Sequence, residues 1–293
     1  MKYNIELIRL IAVVLITFTH TRHHLEGGFL YFIVESVPKV GTLLLSIISG
    51  YLYWTISRTK TNLLKKKIKS LLIPYLISNI LIIGIAVVLH VFFNVNFLNR
   101  LSYDFSLITE GLFSLHVPPV NPPTYFIRDI FVVFLMIDLV KNKNFKTLLF
   151  LVPILIFGKL LIRVDILILF VLGAATPYIL NKLNKKVLYL LLLIASLLAY
   201  LFLLAYLKYP LAYLIFILVI DINIKFVKTG GYSYILHLYH APLMMLIYPL
   251  LASHNLNDPL SILLQILFAI AITLVIYLIT RKIKFLQIIS GGR

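Results

Sequence analysis

Long runs of apolar residues alternate with short polar or basic breaks along almost the whole chain. Runs of this length, apolar on all sides, are typical of helices that cross a membrane. We read ten candidate spans, at residues 5–21, 30–54, 71–93, 124–140, 147–162, 165–181, 187–207, 210–224, 232–252 and 260–280. The runs at 147–162 and 210–224 are short or bordered by proline, which predicts tilted, re-entrant or partly interfacial segments. The pattern as a whole predicts an all-α, polytopic transmembrane helix bundle.

Composition supports this class. Hydrophobic residues make up 61% of the 293 positions and the mean hydropathy is +1.03, which is too apolar for a soluble domain. The first run is not expected to be a cleaved signal peptide, because it contains charges, lacks a small-residue cleavage site and precedes many similar runs. The chain has no cysteine, which excludes disulfides, thiolate nucleophiles and cysteine-based metal sites.

The basic residues lie in short clusters between the apolar runs. The formal net charge is +17, but this distribution fits the positive-inside rule and anionic lipid headgroups better than nucleic acid. With the N-terminus inside, the segments expected in the cytoplasm, together with Lys2, hold nineteen Lys and Arg against seven outside. We therefore expect both termini on the cytoplasmic side of a bacterial inner membrane, lipids as partners and no nucleic acid.

One connection is much longer than the others. The stretch "FNVNFLNRLSYDFSLITEGLFSLHVPPVNPPTYF" combines aromatic residues, four prolines, an acidic pair and His116. Loops of this length are commonly functional or disordered, and this one is too aromatic for simple disorder. We expect a single domain over residues 1–293, with an external Pro- and aromatic-rich loop at about 94–123 that forms a partly ordered cap.

The first run carries three side chains that a membrane helix rarely accepts. Glu6 and Arg9 are at an i,i+3 spacing that allows an ion pair, and His20 follows Arg9 by eleven residues. On a continuous helix that separation is about three turns, or roughly 16 Å, and keeps both side chains on one face. These residues either anchor the helix ends at the headgroups or form a polar track from a cytoplasmic anion site to an external proton-transfer site.

Five segments, in order, resemble the integral-membrane acyltransferase 3 family. "NIELIRLIAVVLITFTH" is similar to its first helix, with the acidic residue, the Arg and the His at the same spacing. "SIISGYLYW" resembles the signature of its second helix, and "KKKIKSLLIPYLISN" the basic run that opens its third. "TYFIRDIFVVFL" and "GGYSYILHLYHAPLM" resemble two later motifs. Leu45 and Ser46 stand where Phe is usual, Lys67 where Arg is, and Tyr125 where Trp is.

The resemblance implies transfer of an acyl group, usually acetyl, from cytoplasmic acyl-CoA to a hydroxyl of a sugar or other acceptor. Such a reaction needs a base for the hydroxyl proton, and His20 has the chemistry for it. Alternatively, His20 is first acylated and then discharged to the acceptor. Glu6 and Arg9 complete the candidate catalytic set, with Arg9 on the donor side.

A donor site needs cations for the phosphates of coenzyme A. We assign donor binding to Arg9, Lys67, Lys69, Ser49 and Gly50, where the lysines of the 65–69 run attract phosphate and the small residues let a thin ligand approach. Both groups have ordinary alternatives. Inner loops are generally basic, and small residues in membrane helices commonly serve helix packing.

The expected acceptor contacts are Tyr125, Arg128, Asp129, His240 and His116. Arg128 and Asp129 form either an internal ion pair or a pair that bonds sugar hydroxyls. His240 precedes Pro242, which frees a backbone carbonyl beside the imidazole. His237 lies one turn before His240, but neither this spacing nor the acidic residues available nearby make a persuasive metal site, and we expect none.

We therefore predict an acetyl-CoA-dependent O-acetyltransferase, or a user of another acyl-CoA, that modifies a cell-envelope polysaccharide or lipid-linked sugar. The competing hypothesis is a proton-coupled transporter or flippase for a glycan or small anion, since buried Arg, Glu and His also describe carriers. Carriers often contain two related halves, and residues 1–145 and 146–293 show no such symmetry.

Overall fold

The computed structural model describes residues 3–96, 98, 100–143, 145–222 and 224–292. In this part of the chain the structure consists of helices joined by turns and loops, with no strand, so the all-α prediction is confirmed. We number the main helices in chain order: α1 (Tyr3–Phe18), α2 (Gly28–Ser57), α3 (Leu63–Phe93), α4 (Tyr125–Asn142), α5 (Phe145–Phe157), α6 (Val164–Lys182), α7 (Lys185–Phe202), α8 (Lys208–Ile220), α9 (Gly230–Ser253) and α10 (Asp258–Lys282).

The structure does not confirm the predicted number of membrane spans. Among the described residues, six helices are long and apolar enough to cross a membrane, namely α2, α3, α6, α7, α9 and α10. A helix lies in each of the other predicted runs, but α1 has 16 residues and α5 and α8 have 13 each, and α4 carries Arg128 and Asp129. The structure thus supports a multi-pass membrane protein and does not confirm ten spans.

Helix α1 ends earlier than the hydrophobic pattern predicts. It stops at Phe18, and His20 lies in the turn that follows. Three threonines account for the ending, because Thr17, Thr19 and Thr21 each donate their hydroxyl to the carbonyl three residues earlier, at 2.6, 2.8 and 2.8 Å. Side-chain bonds of this kind satisfy the last carbonyls of a helix and compete with its continuation. The 16 Å estimate for a continuous helix therefore does not apply to His20.

Close backbone contact joins α2 to α6. A methyl group at Gly50 would overlap the carbonyl oxygen of Phe170, and one at Gly173 would overlap the carbonyl of Ile47. Each helix therefore supplies a glycine where the backbone of the other passes, as small residues do in membrane helix pairs. Gly50, predicted to contact the donor, lies at this helix contact.

The long loop is held to α3 by buried hydrogen bonds near its end. The side chain of Asn79 donates to the hydroxyl of Thr124 at 3.0 Å, and its Oδ1 accepts from the amide of Asn121 at 3.0 Å. The hydroxyl of Tyr75 donates to the carbonyl of Leu112 at 2.7 Å. The two bonds of Asn79 satisfy buried polar groups, and they fix the segment around Asn121 against the bundle.

Candidate active site

A cavity of about 170 Å³ opens between α1, α2, α3, α4 and α9. We call it the Arg9 cavity. Its polar and charged lining consists of Arg9, Ser49, Tyr53, Ser57, Lys67, Ser233, Tyr234 and His237. Three of the residues predicted to bind the donor are thus brought together from separate helices, while Lys69 is exposed and Gly50 packs against α6, so neither lines the cavity. Their assigned roles stay predictions.

Glu6 joins α1 to the start of α9. Its carboxylate pairs with Arg9 at 3.0 Å and accepts the backbone N–H of Thr229 at 2.9 Å. The hydroxyl of Thr229 also donates to the backbone carbonyl of Glu6 at 3.1 Å. A carboxylate at a helix N-terminus is stabilised by the free amides and the helix dipole. Gly230 adjoins the Arg9 guanidinium, where a larger side chain would crowd it, so Glu6 positions both Arg9 and α9.

Lys67 and Ser49 contribute different groups to the lining of the Arg9 cavity. The Lys67 ammonium lies 3.9 Å from the ring centroid of Phe134, a cation–π contact that holds it at the lining. The Ser49 hydroxyl donates to the carbonyl of Leu45 within its own helix at 2.7 Å. Lys67 therefore brings a positive charge to the cavity, while Ser49 contributes a small side chain whose hydrogen is already used.

Three imidazoles follow one another from the Arg9 cavity toward the end of α1. His237 lines the cavity, and its ring centroid is 6.2 Å from that of His240. The centroid of His240 is in turn 5.1 Å from that of His20. The sequence predicted His20 and His240 for two different roles, as base and as acceptor contact. The structure brings them side by side.

The tautomer of His240 follows from its surroundings. Its Nδ1 is 2.7 Å from the carbonyl of Leu236, and a carbonyl only accepts, so Nδ1 carries the hydrogen. Its Nε2 is then an acceptor, and it is buried with no hydrogen-bond partner among the described residues. A buried, unpaired nitrogen is costly unless a ligand or a proton uses it.

Pro242 explains a second contact in the same turn of α9. Proline has no N–H, so the carbonyl of Leu238 loses its helical partner. The side-chain amide of Asn121 donates to this carbonyl at 2.7 Å. The long loop therefore supplies the hydrogen bond that the proline removes, at a carbonyl two residues before His240.

A second pocket, of about 180 Å³, lies beyond the histidines. We call it the Arg100 pocket, and it is lined by Arg22, Ile82, Leu98, Arg100, Leu101, Val120, Asn121, Pro122, Ala241, Pro242 and Met245. Along α1 and the residues after it, Arg9 lines the first cavity, His20 follows, and Arg22 lines the second. The same order holds on α9, with His237, then His240, then Ala241. Along both segments, the His20–His240 pair thus lies between residues that line the first space and residues that line the second.

The predicted acceptor pair on α4 is engaged within the protein. Arg128 donates to Asp129 at 2.9 Å and to the carbonyl of Lys159 at 2.6 Å. Asp129, which is fully buried, also accepts the backbone N–H of Arg163 at 2.9 Å. The Tyr125 hydroxyl accepts from Arg163 at 3.0 Å. These residues fix the connection between α5 and α6, and none of them lines the Arg100 pocket.

His116 lies in the long loop, away from both spaces. Its Nδ1 is 2.6 Å from Glu110, which also accepts the backbone N–H of His116 at 2.8 Å. Partial burial acts to raise the pKa of the Glu110 carboxyl, but the hydrogen bonds from His116 and Val117 hold that pKa below its usual value. The contact between Glu110 and His116 thus stabilises the conformation of the loop. In the described part of the chain, no group of three or more His, Asp or Glu has a metal-binding arrangement.

The sequence model of the acyltransferase 3 family, described as an acyltransferase domain, matches residues 2–281. The chain belongs to this family. Comparison with curated proteins and with solved structures gives no match. Family membership covers both spaces and the histidines between them, and it makes the chain an acyltransferase.

Sequence reasoning missed several members of the site. Arg22 and Arg100 belong to the seven Lys and Arg that the charge pattern assigns to the outer side, and that pattern gives them no role in the site, although their closeness in sequence to His20 and to the loop prolines is a usable signal. His237 was considered only as a metal ligand. Asn121 carried no signal, because its role depends on a carbonyl freed by a proline 121 residues later in the chain.

Proposed function

We propose that the protein is a membrane-embedded O-acetyltransferase that moves an acetyl group from cytoplasmic acetyl-CoA, or another acyl-CoA, to a hydroxyl of a cell-envelope glycan or lipid-linked sugar. The observation that carries the proposal is the contact between His20 and His240, which on both segments follow residues of the Arg9 cavity and precede residues of the Arg100 pocket. Two ligands entering from opposite sides meet at these imidazoles.

The donor occupies the Arg9 cavity in this proposal. The guanidinium of Arg9 and the ammonium of Lys67 provide charge-assisted hydrogen bonds for phosphates or pantetheine carbonyls. Glu6 holds Arg9 in place and is itself buried and fully engaged, so it acts as a positioning residue. The thioester then points toward the histidines.

His20 takes the proton of the acceptor hydroxyl as the hydroxyl oxygen attacks the thioester carbonyl. The carbon–sulfur bond breaks, and the coenzyme A thiolate leaves and is protonated. His240, whose Nε2 has no other partner in the described residues, accepts a hydrogen bond from the protonated His20. In the relay alternative, His20 carries the acetyl group before the hydroxyl attacks.

Membership of an acyltransferase family favours this function over the proton-coupled transporter that buried Arg, Glu and His also allow. A carrier needs no bond-forming geometry between two ligand spaces. The acyltransferase requires it.

The experiment is to incubate the purified protein with acetyl-labelled acetyl-CoA and membrane glycan and to measure alkali-labile label on the glycan. His20→Ala should abolish transfer, and His24→Ala, which removes an exposed imidazole in the same segment, should leave it near the parent value. Label trapped on the parent protein and absent from His20→Ala favours the relay over simple base catalysis. Full transfer by His20→Ala contradicts the proposal.

Arg9→Lys separates donor binding from anchoring. Lysine keeps the charge and loses the planar fork, so acetyl-CoA affinity should fall while glycan affinity stays unchanged. An unchanged donor affinity assigns Arg9 to anchoring at the membrane surface.

A further inference from the structure

The Arg100 pocket carries positive charge that the protein itself does not neutralise. Arg22 and Arg100 both line it, and neither has an ion-pair partner among the described side chains. No described lining residue is acidic. This differs from Arg9, Arg128 and Arg163, each of which pairs with a carboxylate. Two cations facing one concave space favour a negatively charged ligand.

The arginines are held in position by their backbones and by the loop. The backbone N–H and carbonyl of Arg22 both bond the side chain of Gln265 at 2.8 Å. Arg100 donates one guanidinium bond to the carbonyl of Pro119 at 3.2 Å. Each therefore keeps most of its guanidinium donors available to a ligand, since an arginine has five.

Asn121 adds a second and different observation. It lines the same pocket and is 1% exposed. Its amide nitrogen is committed to the carbonyl of Leu238, which fixes its orientation, and its Oδ1 is buried with no hydrogen-bond partner in the described part of the chain. A buried acceptor of this kind calls for a donor such as a ligand hydroxyl. The pocket thus combines anion-binding groups with a hydroxyl-binding group.

We infer that the Arg100 pocket is the acceptor site and selects an anionic saccharide, in which a phosphate or carboxylate pairs with Arg22 and Arg100 and a hydroxyl donates to Asn121 Oδ1. This inference rests on the proposed function and names the chemical class of its acceptor. Arg22 follows His20 by two residues, and Ala241 adjoins His240. A sugar anchored here has its remaining hydroxyls beside the reacting imidazoles.

A lipid headgroup offers the same negative charge as a sugar phosphate. It also accounts for the arginines, which are both exposed, and the hydroxyls of a glycerol headgroup or the ammonium of an ethanolamine headgroup can donate to Asn121 Oδ1 as well. We favour the saccharide because the pocket lining adjoins His20 and His240 along the chain, and binding measured in neutral and in anionic lipid separates the two sources.

The test compares binding of radiolabelled glucose 6-phosphate with that of radiolabelled glucose to the full chain in nanodiscs of neutral lipid. We expect glucose 6-phosphate to bind at least about fivefold more tightly, as befits a partly exposed charge-assisted contact. The preference should weaken with salt.

Arg100→Gln and Arg22→Gln should each reduce the preference for glucose 6-phosphate, and Arg100→Lys should keep part of it. Lys39→Gln, which removes an exposed charge outside the pocket, should leave it unchanged. Thermal unfolding of each variant verifies that it is folded.

Equal binding of the two sugars, or no binding of either, overturns the inference. So does a preference that disappears when about one quarter of the nanodisc lipid is anionic, because that result assigns the arginines to headgroups. The binding assay contains no acyl donor. A preference for glucose 6-phosphate without any acetyl transfer would therefore support this binding site and contradict the proposed reaction. Acetyl transfer to membrane glycan without the preference would support the reaction and contradict the binding site.

Discussion

The hydrogen bond between Asn121 and the carbonyl freed by Pro242 allows a quantitative prediction about the stability of the protein. Asn121→Ala removes the side-chain N–H that reaches Leu238 at 2.7 Å and leaves a buried carbonyl without a partner. A buried unsatisfied group costs about 1–3 kcal/mol. We expect the free energy of unfolding to fall by that amount.

The same substitution should matter less when Pro242 is replaced. In Pro242→Ala the new backbone N–H lies one helical turn after Leu238 and restores the hydrogen bond that proline removes. The loss caused by Asn121→Ala should then shrink by about 1 kcal/mol, which is the net value of one hydrogen bond. The two substitutions are therefore coupled, with the double variant more stable than the sum of the single changes predicts.

Equilibrium unfolding in mixed micelles with increasing sodium dodecyl sulfate measures all four proteins of this cycle. Asn257→Ala provides the control, because it removes the N-cap of α10, where Asn257 accepts from the amide of Leu260 at 3.1 Å, and should cost the same in both backgrounds. An equal loss for Asn121→Ala with and without Pro242 would refute the reasoning.

Three further predictions concern packing, donor binding and pH. Gly50→Ala should lower the free energy of unfolding by about 1–3 kcal/mol or prevent folding, whereas Gly84→Ala, with open space around the added methyl, should not; detergent unfolding compares the two. Lys67→Ala should weaken acetyl-CoA binding by roughly fivefold or more and Lys69→Ala by much less, since only the first lines the cavity; titration with labelled acetyl-CoA measures both. The hydrogen bonds that lower the pKa of the Glu110 carboxyl stabilise the fold fully above the unfolded pKa of this group, and this stability is lost as pH falls through its lower folded pKa. Thermal unfolding measured against pH should show the loss, and Glu110→Gln should flatten it.

The helices themselves followed from hydrophobic length, because an apolar run in a bilayer has to satisfy its backbone internally. A helix lies in each predicted run. What length alone did not reveal is the end of α1, where the hydroxyls of Thr17, Thr19 and Thr21 replace helical hydrogen bonds. Hydropathy averages over such polar contacts, so it extended the first span through His20.

The candidate site was predictable where spacing within one segment determined it. Glu6 and Arg9 form the ion pair that an i,i+3 spacing allows. The juxtaposition of His20 and His240 was not predictable in this way, because it depends on how α1 packs against α9. Residue type also left two interpretations open at Gly50 and Arg128, and the structure gives each an internal contact.

The most direct test of the account separates donor and acceptor by a membrane. The protein is reconstituted into vesicles that enclose envelope glycan, and acetyl-labelled acetyl-CoA is added outside. Molecules inserted with the Arg9 cavity facing out should deliver alkali-labile acetyl groups to the enclosed glycan, and His20→Ala should deliver none. Label that reaches glycan only when both substrates are on the same side, or equal delivery by His20→Ala, would contradict a reaction at the His20–His240 pair between two opposed ligand spaces.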